Sequence, residues 1–159
     1  YEKESPDMAL AYLQDLISEN MSRQRPWEYD GTEAGKSFFE EAMQEYCFSF
    51  YSIGSPASYE AFLALSQQLS KLYPDNMGFV NNIGSYHLIR QEYKTALKYY
   101  DKVLKKQPDD YTAMQNGLLA SRKMKNLKLE KKYLALIVKY GSDKDKLLAQ
   151  GRLDALNRK

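Results

Sequence analysis

A chain of 159 residues with 43% apolar residues and a net charge of +2 has the material for one sizeable core, which excludes wholesale disorder. One cysteine, Cys47, excludes an internal disulfide, and Cys47 with the single histidine, His87, excludes a zinc site of the usual ligand set. No apolar run approaches the roughly 20 residues that span a bilayer, so no membrane span is expected.

The net charge hides an asymmetry. Residues 1–89 hold 5 Lys/Arg against 13 Asp/Glu, a net of −8, and residues 90–159 hold 18 against 8, a net of +10. Tyrosine is abundant at 14 copies, which favours half-buried rings whose hydroxyls stay wet. The chain begins at Tyr1 with no initiator Met and no signal peptide. Removal of a signal or truncation would each explain that, and the expectation leans to an exported bacterial protein, periplasmic or secreted.

In chain order, Ser5-Pro6-Asp7 reads as a helix start, with Ser as N-cap and Pro just inside. Residues 5–20 then carry Ala9, Leu13 and Leu16 on one face. Residues 21–36, with Pro26, Gly31 and Gly35 around Trp27, read as an irregular insertion. Ser37 to Ile53 reads as a long helix with Phe38, Phe39, Met43, Tyr46, Phe48, Phe50 and Tyr51, more aromatics than one buried face needs. A second helix over 58–72 ends before Pro74.

A period then shows itself. Tyr73-Pro74-Asp75 is echoed by Gln107-Pro108-Asp109, Tyr59 by Tyr93 and Asn82 by Asn116, always at an offset of 34. Between the prolines, residues 77–110 hold a helix with Val80, Ile83 and Gly84 on one side and a polar break at Arg90-Gln91-Glu92. A second helix follows with Ala96, Leu97, Tyr100, Val103 and Leu104 at helical spacing. The spacing predicts helix pairs at 43–53 with 58–72, 78–90 with 93–106, and 111–123 with 127–140, and no sheet. In the third pair Ala113, Met114, Asn116 and Ala120 keep that register, while Leu129, Tyr133, Leu136 and Gly141 match at an offset of 33, which places one lost residue near Met124–Asn126. Ser142-Asp143 starts a last helix, 143–157, with Leu147, Leu148, Gly151 and Ala155 on one side and charges opposite.

The unit 77–110 resembles a tetratricopeptide repeat, with Val80, Ile83-Gly84, His87, Ala96, Tyr100, Val103 and Pro108 at the family's patterned places. Val80 and His87 stand where the family prefers aromatics. Residues 43–76 and 111–142 resemble weaker copies, the former with Phe50 in the Gly place and Phe62 in the Ala place. The physics of the pattern is close approach: Gly84 and Ala96 let antiparallel helices meet while Tyr100 and Val103 fill the gap beside them. The resemblance implies an all-α fold: a single domain (1–159) forming a short right-handed α-solenoid of about seven helices. Residues 5–20 are then an orphan second helix and 143–157 a capping helix with a polar outer face.

It also implies non-enzymatic binding of an extended peptide or partner protein in a concave groove lined by the first helix of each pair. Carried over residue by residue, the groove positions are Cys47, Phe48 and Tyr51, then Asn81, Asn82, Ser85 and Leu88, then Gln115, Asn116, Arg122 and Lys123. Asn82 and Asn116 would grip a peptide backbone by their amides. The subtype that clamps acidic chaperone tails is disfavoured, because Cys47, Phe48, Thr112 and Asn116 occupy its key places.

No catalytic motif, metal site or cofactor site is read from the sequence, and His87 and Cys47 are expected to pack. Glu40, Glu41 and Glu45 read as an exposed helix face. The rival reading is a self-assembling subunit whose acidic half meets a neighbour's basic half. Nucleic-acid binding through Lys94, Lys98, Lys102, Lys105 and Lys106 is disfavoured, because the aromatics that would stack bases lie in the acidic half.

Overall fold

The computed structural model describes residues 5–23 and 38–158, so most of the expected 21–36 insertion, Trp27 included, lies outside the described residues. Among them the chain is all-α: eight helices, against about seven expected, and no strand. They are α1 (Pro6–Ser22), α2 (Phe38–Ile53), α3 (Pro56–Leu72), α4 (Met77–Ile89), α5 (Tyr93–Lys106), α6 (Tyr111–Lys123), α7 (Leu127–Tyr140) and α8 (Asp143–Asn157). The three expected pairs are therefore α2 with α3, α4 with α5, and α6 with α7.

Local chemistry sets the boundaries. Ser55 and Ser58 form a reciprocal capping box at the start of α3, with Pro56 in its first turn. Asp110, Asn126 and Ser142 each accept a backbone N–H at the starts of α6, α7 and α8. Ser5 occupies the N-cap position of α1 as expected, but its side chain makes no cap bond there. In the turns after α4 and α6, Gln91 (φ 60) and Lys125 (φ 53) adopt the left-handed conformation that usually selects glycine.

Gln91 and Lys125 are themselves one repeat step apart, and so are the starts and ends of α4 and α6 and of α5 and α7. The residue expected to be missing near Met124–Asn126 is therefore not missing there. The spacing shortens later: residues 107–110 separate α5 from α6, whereas only Gly141 and Ser142 separate α7 from α8.

The residues gather into two compact units, 1–82 and 83–159, divided inside α4. In the N-terminal unit, α3 packs on both α1 and α2. The buried stripe of α2 is Phe39, Met43, Cys47 and Phe50, facing Ala61, Phe62, Leu65 and Leu69 of α3. Ala9, Leu13 and Ile17 seat α1.

In the C-terminal unit α5, α6, α7 and α8 pack successively. Ala96, Tyr100 and Val103 are fully buried. A Cβ added to Gly84 would sit 2.7 Å from the ring of Tyr100, so the glycine is the space the tyrosine fills. Gly117 stands in the same relation to the ring of Tyr133, with even less room. Glycine and tyrosine are equally far apart in the two pairs, and the second pair sits one position earlier in its hairpin than the first. That shift, with the backbone keeping its full repeat step, is why the letters of the third pair match at the shorter offset.

The last helix corrects an expectation. Leu147 is 76% and Leu148 64% exposed, Gly151 and Ala155 are exposed too, and Ala149 is the buried residue of α8. The apolar side faces out because α8 is seated through Ala149 and through an ion pair of Arg152 with Glu130 of α7.

Candidate functional site

Sequence reasoning places the working surface on the first helix of each pair. On α2, Phe48 is 62% and Tyr51 41% exposed, and their rings stack with centroids 6.4 Å apart. Tyr51 also meets Tyr59 and Phe62 of α3 edge-on, so one rim of this aromatic patch is anchored in the core. Tyr46 adds a third exposed ring. Phe39 and Phe50 go inward, which divides the helix's surplus of aromatics between core and surface.

Cys47, which the resemblance put on the ligand side, is core: it is fully buried, and its Sγ accepts from Ser66 Oγ at 3.5 Å. Burial pushes the thiol up to about 12 despite the opposing hydrogen-bonding influence of Ser66 and Asn82, so it stays protonated and unreactive. The stripe of α2 that buries Met43 and Phe50 carries Cys47 with it.

On α4, Asn81 is buried. Asn82 is half-buried, and its Oδ1 accepts from Gln44 Nε2 of α2 at 3.2 Å, which ties the two helices together. One amide of the expected ladder is thus already engaged within the fold. Ser85 and Leu88 are half-buried. His87 stacks on Tyr99 of α5 with centroids 5.5 Å apart and planes 11° from parallel, and its Nδ1 lies 2.6 Å from Glu92 Oε2. The ring packs in the hairpin, in keeping with its place in the repeat pattern.

On α6, Gln115 and Asn116 are half-buried and Arg122 and Lys123 exposed. Arg122 belongs to a cluster that sequence reasoning missed. Glu130 of α7 is only 3% exposed, and its Oε1 accepts from Arg122 Nε at 3.1 Å and from Arg152 Nε of α8 at 2.9 Å. Burial works to raise the Glu130 carboxyl, but the hydrogen bonds and charges of Arg152 and Arg122 outweigh it and hold its pKa below the usual value. A glutamate on a lysine-rich helix reads as surface, and no spacing rule pairs residue 130 with residue 152, so the sequence carried no signal for it.

The lysines of α5, namely Lys94, Lys98, Lys102, Lys105 and Lys106, all lie on its exposed side. Among the described residues no three of His, Cys, Asp and Glu converge as a metal site would require, and no helix is long and apolar enough to cross a membrane.

No protein-family model and no curated protein matches the chain. What can be said of its kinship rests on its own residues: packed helix pairs, a 34-residue step from the α4–α5 pair to the α6–α7 pair, and two glycine–tyrosine contacts.

Proposed function

We propose that this chain is a non-enzymatic interaction module of the tetratricopeptide-like kind, which holds an extended peptide or a partner protein on the outward faces of its first-of-pair helices. The observation that carries the reading is the pair Phe48 and Tyr51. Both were carried over as ligand positions from the resemblance, and both are solvent-facing, stacked on each other and backed by core aromatics. Large rings left in water at a preorganised spot favour binding, because they exchange much apolar area for little lost side-chain freedom. Arg122 and Lys123 supply a basic element on α6, and Asn116 an amide.

The test is capture of a defined partner. A protein retained by the wild-type chain from its host's extract is identified, purified and titrated against Phe48→Ser/Tyr51→Ser. Loss of binding with a thermal midpoint nearly unchanged supports the surface, and unchanged affinity moves it elsewhere.

A second reading, self-assembly, is favoured by one observation. The division of charge coincides with the division into compact units: residues 1–82 hold 5 Lys/Arg against 13 Asp/Glu, and residues 83–159 hold 18 against 8. Opposite fields of that size draw the acidic unit of one copy to the basic unit of another. Sizing chromatography separates the readings, since a charge-driven assembly dissociates as salt rises, whereas a monomer elutes alike at low and high salt.

A further inference from the structure

Within the C-terminal unit, a cleft of about 160 Å³ lies among α6, α7 and α8. Its floor is apolar: Leu118 from α6, Leu134 and Ile137 from α7, and Ala149 from α8. Leu148, largely exposed, forms its lip. Gln115 and Asp145 also line it, about two turns back along α6 and α8 from the arginines of the Glu130 cluster. Arg122 is part of the lining itself, and Arg152 stands one helical turn beyond Leu148 and Ala149.

Each arginine reaches Glu130 through Nε, and both bond the same oxygen. Sharing one acceptor holds the two guanidiniums side by side. Their side chains remain 47% and 46% exposed, and their terminal Nη groups donate to no acceptor among the described residues. Two cations on one buried carboxylate leave a net charge of +1 at this end, and each guanidinium keeps planar Nη donors of the kind that a carboxylate accepts.

From this we infer that the cleft is a binding site for a short peptide element in which an apolar side chain is followed or preceded by an Asp or Glu. The apolar side chain fills the space over Leu118 and Ile137, and the carboxylate bridges the Nη groups of Arg122 and Arg152. Asp145 at the other end repels a second acid and accepts an N–H, so the acid sits only at the arginine end. Glu130 has a positioning role: it holds both forks and does not meet the ligand. A single carboxylate balances the +1 of the two-arginine end, whereas a doubly charged phosphate would exceed it and face Asp145 across the cleft. This inference rests on the peptide-binding reading above and names the chemistry of one place where such binding occurs.

The experiment uses the full chain, 15N-labelled, titrated with a hexapeptide carrying a central Leu-Glu and with its Leu-Gln counterpart. The expected result is saturable shifts at Leu118, Arg122, Ala149 and Arg152, with the Leu-Glu peptide bound about tenfold more tightly, the effect of one charge-assisted fork. Arg152→Lys keeps the charge but loses the fork, and it should bring the two affinities together. Leu148→Ser, a change at an exposed position that leaves the fold intact, should weaken both peptides alike. Equal affinity of the two peptides for the wild-type chain overturns the inference. So do shifts confined to residues 5–82, although those leave the peptide-binding reading standing. Silence of both peptides overturns it too, and the Phe48/Tyr51 titration with the captured partner then decides the broader reading separately.

Discussion

The α2–α3 hairpin and the two hairpins that follow it, α4–α5 and α6–α7, solve one packing problem in opposite ways. In the C-terminal unit the first helix supplies nothing, Gly84 or Gly117, and the second supplies a tyrosine against it, Tyr100 or Tyr133. One repeat step before Gly84 and Tyr100, the corresponding places of the N-terminal unit hold Phe50 and Ser66, both fully buried. The large residue has moved to the first helix and the small one to the second. One large and one small residue are thus kept at the two places, while which helix carries the large one is not. Ser66 also takes a role no tyrosine would, donating to Cys47.

The largest expected effects come from breaking that complementarity. Tyr100→Ser empties a fully buried site and should cost about 3–5 kcal/mol in denaturant unfolding. Adding Gly84→Phe rebuilds the α2–α3 arrangement inside α4–α5. The double variant should be more stable than the two single losses predict by about 1–3 kcal/mol, and strict additivity would show that the two sites do not share one space.

Gly117→Ala is a milder overpacking, expected to cost about 1–3 kcal/mol, because the Tyr133 ring has little freedom to retreat. Its hydroxyl donates to Asp101 Oδ1 of α5 at 2.7 Å, and burial, then that bond and the neighbouring carboxylate, push its pKa up, so it stays protonated. A midpoint for Gly117→Ala equal to wild type would mean that α6 and α7 lie farther apart than this contact requires.

Glu130→Gln sharpens the comparison, since nothing among the described residues of the N-terminal unit corresponds to the two-arginine tie. Both arginines are half in water and resolvate on release, so the cost should be about 1–3 kcal/mol. The folded pKa of Glu130 is depressed. Its contribution is therefore fully present above the ordinary glutamate value of about 4.3 and is lost as pH falls through the lowered folded value. The wild-type chain should lose stability on that acid limb more steeply than Glu130→Gln, and parallel pH profiles would refute the assignment.

The smallest effect is a gain. Gln91→Gly relieves a left-handed backbone and should add about 0.5–1 kcal/mol. Gly54, in the turn after α2, already has φ 73, so the N-terminal hairpin has no such gain to make.

The sequence was most legible where one residue type has one physical use. Pro74 and Pro108 end helices, and Gly84 with Ala96 and Tyr100 marks a close crossing, so every helix pair was read nearly to its ends. The third pair misled because glycine and tyrosine moved together by one place along both helices. Matching letters records that as a lost residue, while the backbone records nothing. The candidate surface was legible only in part. Phe48 and Tyr51 are exposed, but Cys47 is turned to Ser66 and Asn82 to Gln44 by tertiary packing that helical spacing does not foretell. The Glu130 tie and the cleft beside it depend on α8, whose apolar side was expected inward and lies outward.

The division between the two compact units falls between Asn82 and Ile83, in the middle of α4. Proteases cut where backbone can be drawn out into an extended loop, and helical turns on either side of this boundary deny them that. Limited digestion should therefore spare α4 itself and cut in the turns on either side of it, 73–76 or 90–92. Since α4 carries no Asp, Glu, Lys or Arg, a cut in either turn would leave the acidic excess on one fragment and the basic excess on the other, with the uncut helix travelling on whichever side it stays joined to.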